Sequence, residues 1–311
     1  MKLLIRAPNW IGDAVMATPV FSLLRKKYPS SSIAVLAKPH IIELLQHDPS
    51  IDSFIPLKRD LVPFLQANYC DAEGLLLTNS FSSALLFYKG KVKNRIGFST
   101  HHRTFLLNTP LQRPLDEHQI IEYQRLLQPF DIEPGDEPPA LFLHDEEKVQ
   151  FPNKTIGIHA FAAYGAAKCW PLSSFRQLAE QIADSYKDVD IIFFGDAKSH
   201  QAIEKTISGL PRTYNLAGKT SLRELIASID ATSLFISNDS GPMHIASALG
   251  KPLIALFGST NSKKTGPYQA TILEKHVSCA PCMLRRCPID FRCMRAISVD
   301  EVFQSIKDLL C

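Results

Sequence analysis

Two stretches of the chain put charged side chains where an apolar run gives way to helical periodicity. In the first, Leu3-Leu4-Ile5 runs into Arg6-Ala7-Pro8-Asn9-Trp10-Ile11-Gly12-Asp13, and helical spacing starts at Ala14. In the second, an apolar run ending at Ile236 passes into Ser237-Asn238-Asp239-Ser240-Gly241-Pro242-Met243-His244. Each reads as a strand, a glycine turn and a helix start, the place where ligands gather in open α/β sheets. Asp13 suits either a general base or an ordinary N-cap. At the second turn, free backbone N–H groups attract an anion, and the small Ser240 and Gly241 let phosphate oxygens approach. His244 would face the same end. The alternative is plain capping by Asp239 or Ser240, with His244 packed in the core.

A third stretch, Tyr164-Gly165-Ala166-Ala167-Lys168-Cys169-Trp170-Pro171, offers a lysine among small residues. Such a lysine can neutralise a departing diphosphate as a point charge; the alternative is a solvent-exposed lysine. Trp170-Pro171 would open the next helix, with Trp170 in the core. Gly218-Lys219-Thr220 is not a phosphate loop, because the required earlier glycine position holds Thr213. No Gly-x-Gly-x-x-Gly follows any strand either.

Of the seven cysteines, four bunch as Cys279-x2-Cys282-x4-Cys287-x5-Cys293. They fit a structural zinc site, a reducible disulfide or thiols that pack a loop, and only Cys279 and Cys282 have knuckle spacing. Cys70, Cys169 and Cys311 look unrelated.

The elements that must position these residues alternate. Strands are expected at 3–5, 32–37, 53–56, 73–77 and 95–98. Helices are expected after the first turn and at 41–46, 61–68, 80–88 and 117–130, with Pro19 kinking the first one. A proline-rich acidic stretch, 133–153, reads as a linker. Alternation restarts with strands at 155–159, 190–195, 213–216, 233–237 and 253–258 and helices at 173–186, 200–208, 221–229, 242–249 and 299–310. The pattern predicts an α/β fold of two doubly wound parallel sheets, residues 1–150 and 151–311, facing a cleft, with the last helix free to pack back on the first domain.

Composition agrees with a globular protein: 45% hydrophobic, 21% charged, net charge +3. That charge is too mild to argue for nucleic acid. The clusters Lys89, Lys91, Lys93, Arg95 and Arg285, Arg286, Arg292, Arg295 suit a solvated face, an anionic substrate or a membrane surface. No run reaches the roughly 20 apolar residues of a membrane span, and no signal-peptide core is present, so the chain reads as cytoplasmic with at most peripheral membrane contact.

Taken together, Pro8 to Asp13, Gly165 to Pro171, Asn215-Leu216-Ala217-Gly218 and Asn238 to His244 resemble the bacterial lipopolysaccharide heptosyltransferases. Asn79-Ser80-Phe81 and Arg95-Ile96-Gly97 add matches. The resemblance implies a GT-B fold of two Rossmann-like domains, the first binding a lipid-linked saccharide acceptor and the second an ADP-heptose donor. It implies inverting transfer with no cofactor required for catalysis. By that likeness Asp13 is the base and Lys168 stabilises the diphosphate. Asp239, Ser240, Gly241 and His244 hold the nucleotide sugar, while Gly218, Thr220, Gly258 and Ser259 border the nucleoside. Gly12, Asn79, Ser80 and Arg95 join the substrate-binding set. The chain departs from the family at Ala160-Phe161-Ala162, in place of Pro-Gly-Ala, at Cys169 in place of arginine, and at Ser82 in place of lysine. Other readings are a GT-B transferase or epimerase using another nucleotide sugar, and a non-catalytic nucleotide-sugar or metal-binding protein.

Overall fold

A computed structural model describes residues 1–310; Cys311 lies outside the described residues. The chain divides into two units, Met1–Phe142 and Leu143–Cys311, and the division falls inside the proline-rich segment.

The first unit runs β1 (Lys2–Arg6), α1 (Ile11–Met16), α2 (Thr18–Lys27), β2 (Ser32–Ala37), α3 (Pro39–Leu45), β3 (Ser53–Pro56) and α4 (Leu61–Asn68). It continues with β4 (Glu73–Leu76), α5 (Phe81–Lys89), β5 (Asn94–Phe98), β6 (Thr109–Leu111) and α6 (Gln119–Arg125). Its strands are all parallel, in the order β3-β2-β1-β4-β5-β6. This is the doubly wound order, which reverses beside the first strand. Pro19 does interrupt the first helical stretch. Its missing N–H is tolerated only in a first turn, so α1 stops at Met16 and α2 restarts with Pro19 near its beginning. The expected helix 117–130 is shorter than its apolar pattern: α6 ends at Arg125, and a separate 3₁₀ turn, Gln128–Phe130, carries Pro129.

The second unit runs β7 (Lys154–His159), α7 (Leu172–Ser185), β8 (Val189–Phe194), α8 (His200–Ile207), β9 (Thr213–Asn215), α9 (Leu222–Asp230) and β10 (Leu234–Asn238). Then come α10 (Gly241–Ala248), β11 (Leu253–Phe257), α11 (Ser262–Thr265), β12 (Thr271–Glu274), α12 (Arg292–Arg295) and α13 (Val299–Leu310). The order β12-β11-β10-β7-β8-β9 is the same winding repeated. The closing helix α13 packs against α7, β10 and β11 within this unit.

The inner strands are apolar at their centres because helices cover both sheet faces. Leu3, Leu4 and Ile5 of β1 and Ile156 and Ile158 of β7 have no exposed surface. Trp170 is buried, edge-on to Phe175, and its indole N–H donates to the carbonyl of Ile297. The proline-rich segment is tied down on each side. Lys26 and Ser22 bind Glu137, and Arg223 binds Glu147. No helix among the described residues is long and apolar enough to cross a membrane.

Candidate active site

In the first unit, β1 and β4 are neighbours, with Arg6 level with Leu76, and the loops leaving their carboxyl ends carry the candidate residues. Arg6 is buried and donates to the carbonyl of Leu36 and to Asn9 Oδ1 (2.7 Å), while His40 Nε2 lies 3.1 Å from the Asn9 carbonyl. Burial lowers the Arg6 pKa to about 10. These bonds fix the Pro8-Asn9-Trp10 loop. Trp10, not Asp13, holds the N-cap position of α1; Gly12 and Asp13 are its second and third residues, both half-buried. The plain N-cap reading of Asp13 is therefore replaced by a carboxylate in the first turn, favoured there by the helix dipole. It lies within electrostatic reach of Tyr123 on α6, whose phenol is held well above its usual pKa by burial first and by Asp13 and Glu122 next.

After β4, Ser80 caps α5 by accepting from the Ser83 N–H. Its neighbours are held by Arg103, a fully buried residue that sequence reasoning did not single out. The guanidinium donates to the carbonyls of Phe98 (2.9 Å), Thr78 and Ser80, and to Asn79 Oδ1 (3.2 Å). Asn79 is thereby oriented with its amide N–H groups unused by Arg103. The buried Thr78 hydroxyl has no hydrogen-bond partner. Arg95 does not join this set. It is the second residue of β5, level with Gly74 near the amino end of the sheet. Its guanidinium bonds the carbonyls of Leu106 and Val92.

In the second unit the carboxyl ends of β7 and β10 meet the lysine loop. Lys168 Nζ donates to Asp239 Oδ2 at 2.5 Å, and Thr260 Oγ1 donates to the same oxygen at 2.6 Å. The side chains of Lys168 and Asp239 are 13% and 6% exposed, so the solvated-lysine reading gives way to a largely buried ion pair. Asn238 clamps the loop, accepting from the Trp170 N–H and donating to the Ala160 carbonyl. Ser240 occupies the N-cap of α10 without capping it. Its hydroxyl lies 3.1 Å from His159 Nδ1 and 3.0 Å from Ser237 Oγ. The helix start, Gly241, is thus not closed off by Ser240, and His244 is buried in its first turn. Burial pushes His159 down to about 4, so it is neutral.

Gly218 and Thr220 follow β9, and Gly258 and Ser259 follow β11, at the same carboxyl edge. Gly218 has φ +71°, and a Cβ there would lie 2.7 Å from Ala197 Cα. A Cβ on Gly258 would meet Met294 Sδ at 2.4 Å, so packing on α12 already accounts for that glycine. The Ser259 hydroxyl is buried with no hydrogen-bond partner.

The cysteine-rich segment braces the lysine loop. The Arg285 carbonyl accepts from the Ala167 N–H and lies where a Cβ on Gly165 would fall. The Tyr164 hydroxyl donates to the Met283 carbonyl (2.7 Å). The Tyr164 ring faces Lys168 Nζ at 4.7 Å and the Arg285 guanidinium at 5.2 Å. Cys279, Cys282, Cys287 and Cys293 are free thiols. Among the described residues no three His, Cys, Asp or Glu side chains form a group that would hold a metal. Burial first, and then the charges of Cys279, Cys282 and Cys287, raise the Cys293 thiol, so the four cysteines lie within electrostatic reach of one another.

The glycosyltransferase family 9 (heptosyltransferase) model matches residues 64–291. Lipooligosaccharide heptosyltransferase 2 of Campylobacter jejuni is 28% identical, over all of this chain and 98% of its own length. The protein of the same name from Haemophilus influenzae is 31% identical over 88% of each. The solved structure of E. coli ADP-heptose lps heptosyltransferase II superposes with a TM-score of 0.84 at 27% identity, over 100% of this chain and 98% of that one.

Two outcomes follow from this geometry. Arg103→Met keeps the volume but strips three carbonyls of their donor, which should lower stability by about 2–4 kcal/mol in urea unfolding; an unmoved midpoint would remove Arg103 as the hub. His159 is depressed below its unfolded pKa of about 6.5, so the unfolded chain binds more protons between the two values. Its contribution is complete above pH 6.5 and is lost as pH falls towards 4, about 3 kcal/mol in all. The acid-side loss of stability should be smaller by that amount in His159→Gln; parallel pH profiles would refute it.

Proposed function

The chain belongs to glycosyltransferase family 9, the heptosyltransferases, and from that membership we propose that it transfers heptose from ADP-heptose to the inner core of lipopolysaccharide with inversion at the anomeric carbon. The relatives' names supply the substrates, and the observation that carries the chemistry is the Lys168–Asp239–Thr260 cluster beside the start of α10, where Ser240 makes no cap.

In this reading the second unit binds the donor. Lys168 exchanges an Asp239 oxygen for a diphosphate oxygen, and the α10 N–H groups take another share of the charge. Gly218, Thr220, Gly258 and Ser259 border the nucleoside; Ser240, Gly241 and His244 hold the diphosphate sugar. The first unit binds the acceptor through Gly12, Asn79 and Ser80. An acceptor hydroxyl attacks the anomeric carbon, Asp13 accepts its proton, and the carbon–oxygen bond to the diphosphate breaks with its electron pair leaving on ADP. One base on the acceptor and positive charge on the leaving group are what a single displacement requires. Work on a lipid-linked acceptor places the protein at the cytoplasmic membrane face.

The test is ADP release from a panel of nucleotide sugars, with and without acceptor. Asp13→Asn should lower kcat by about 10²–10⁴-fold while donor Kd is unchanged; loss of donor binding in a folded variant would remove it as the base. Lys168→Ala should lower kcat by about 10²–10³-fold at saturating donor. Turnover without acceptor would instead favour an epimerase or hydrolase.

A further inference from the structure

Between Glu73 and Asp116 the chain carries no aspartate or glutamate, yet it carries Lys89, Lys91, Lys93, Arg95, Arg103 and Arg113. With a net charge of only +3 overall, this is a local concentration of positive charge. Arg103 is fully buried and Arg113 is paired with Glu122, so the charge left for the surface is that of the lysines and Arg95. Lys89, Lys91 and Lys93 stand exposed on the turn from α5 to β5, and the Arg95 guanidinium lies 5.3 Å from the Tyr88 ring.

The same region shows apolar rings to solvent. Phe81, Leu85 and Tyr88 fall at i, i+4 and i+7 on α5 and form one stripe. Phe81 is 40% and Tyr88 52% exposed. Phe105, 73% exposed, sits on the 3₁₀ turn Thr104–Leu106 with its ring 6.1 Å from that of Phe81. Arg103 fixes both carriers of these rings. Its guanidinium holds the Thr78 and Ser80 carbonyls ahead of Phe81, and its own backbone leads into the turn that bears Phe105. The rings are therefore held outward by a buried hub.

We propose that this face docks on an anionic phospholipid bilayer, with Phe81, Tyr88 and Phe105 at headgroup level and Lys89, Lys91 and Lys93 against lipid phosphates. Apolar rings flanked by three exposed lysines match such an interface, and Asp71, within electrostatic reach of Lys93 and paired with Lys2, is a carboxylate on the Lys93 side. A sugar platform fits less well. The lysines follow the far end of α5 from Ser80, roughly 13 Å along the helix axis, a span that suits a plane of lipids better than one saccharide. The inference deepens the reading of a lipid-linked acceptor and rests on it for its purpose, but docking itself requires no transfer.

The experiment is co-sedimentation of the full chain with phosphatidylcholine vesicles, with or without phosphatidylglycerol. The chain should pellet with the anionic vesicles at low salt and be released at high salt. K89E/K91E/K93E and, separately, Y88S/F105S should each weaken partitioning by about tenfold or more. Both variants should keep the wild-type unfolding midpoint and wild-type turnover of a deacylated, soluble acceptor. Failure of the wild type to pellet with anionic vesicles, or equal pelleting of the lysine variant, overturns the proposal. Lost turnover of soluble acceptor in a folded variant also overturns it, in favour of an acceptor site. Docking without any heptosyl transfer would refute the proposed function and leave the surface standing.

Discussion

A parallel sheet covered on both faces leaves polar chemistry only the ends of its strands. A polar side chain at the centre of such a sheet would be orphaned, so Leu3 to Ile5 of β1 and Ile156 to Ile158 of β7 are aliphatic or glycine. Where the strand order reverses, beside β1 in the first unit and β7 in the second, successive helices leave on opposite faces and open a crevice at the carboxyl edge. Asp13 follows β1 and Asn79 follows β4; His159 ends β7 and Asp239 follows β10. These positions are consequences of the winding. The loops then decide what each crevice does.

The two edges hold their cations in physically different ways. Arg6 and Arg103 are buried among carbonyls and side-chain amides, partners that do not neutralise a guanidinium. The planar fork ties several main-chain segments at once, which makes it a device for fixing loops. Lys168 is instead matched by one carboxylate oxygen that Thr260 also binds. A lysine is a compact point charge that can move from one oxygen to another without rebuilding a fork. The first edge is therefore suited to holding shape and the second to exchanging an anion.

Much of this was legible because the signals were local. The apolar runs gave the inner strands, and the bounds of β2, β3 and α13 match their patterns residue for residue. β6 and β12 were missed because edge strands need no continuous apolar run: β6 contains Pro110, and β12 is only half-buried. Asp13, Lys168 and Asp239 stood out because each follows a strand. Arg103, Thr260 and His159 did not, since what defines them is a partner distant in sequence. Arg95 failed for a related reason: a short motif says that a residue lies on a strand, not which end of the sheet that residue faces.

The cysteine-rich segment meets the candidate site through its backbone. The Arg285 carbonyl occupies the volume that any side chain at position 165 would need, and the same carbonyl accepts from Ala167 in the turn that carries Lys168. Met283 reaches both sides of the site, accepting from the Tyr164 hydroxyl and donating its N–H to the Ser259 carbonyl. The lysine loop and the loop after β11 are thus shaped against one common segment. Of its four thiols only Cys293 is buried, 3.0 Å from where a Cβ on Gly258 would lie. A substitution in this segment would therefore reach Lys168 through the backbone that carries its turn.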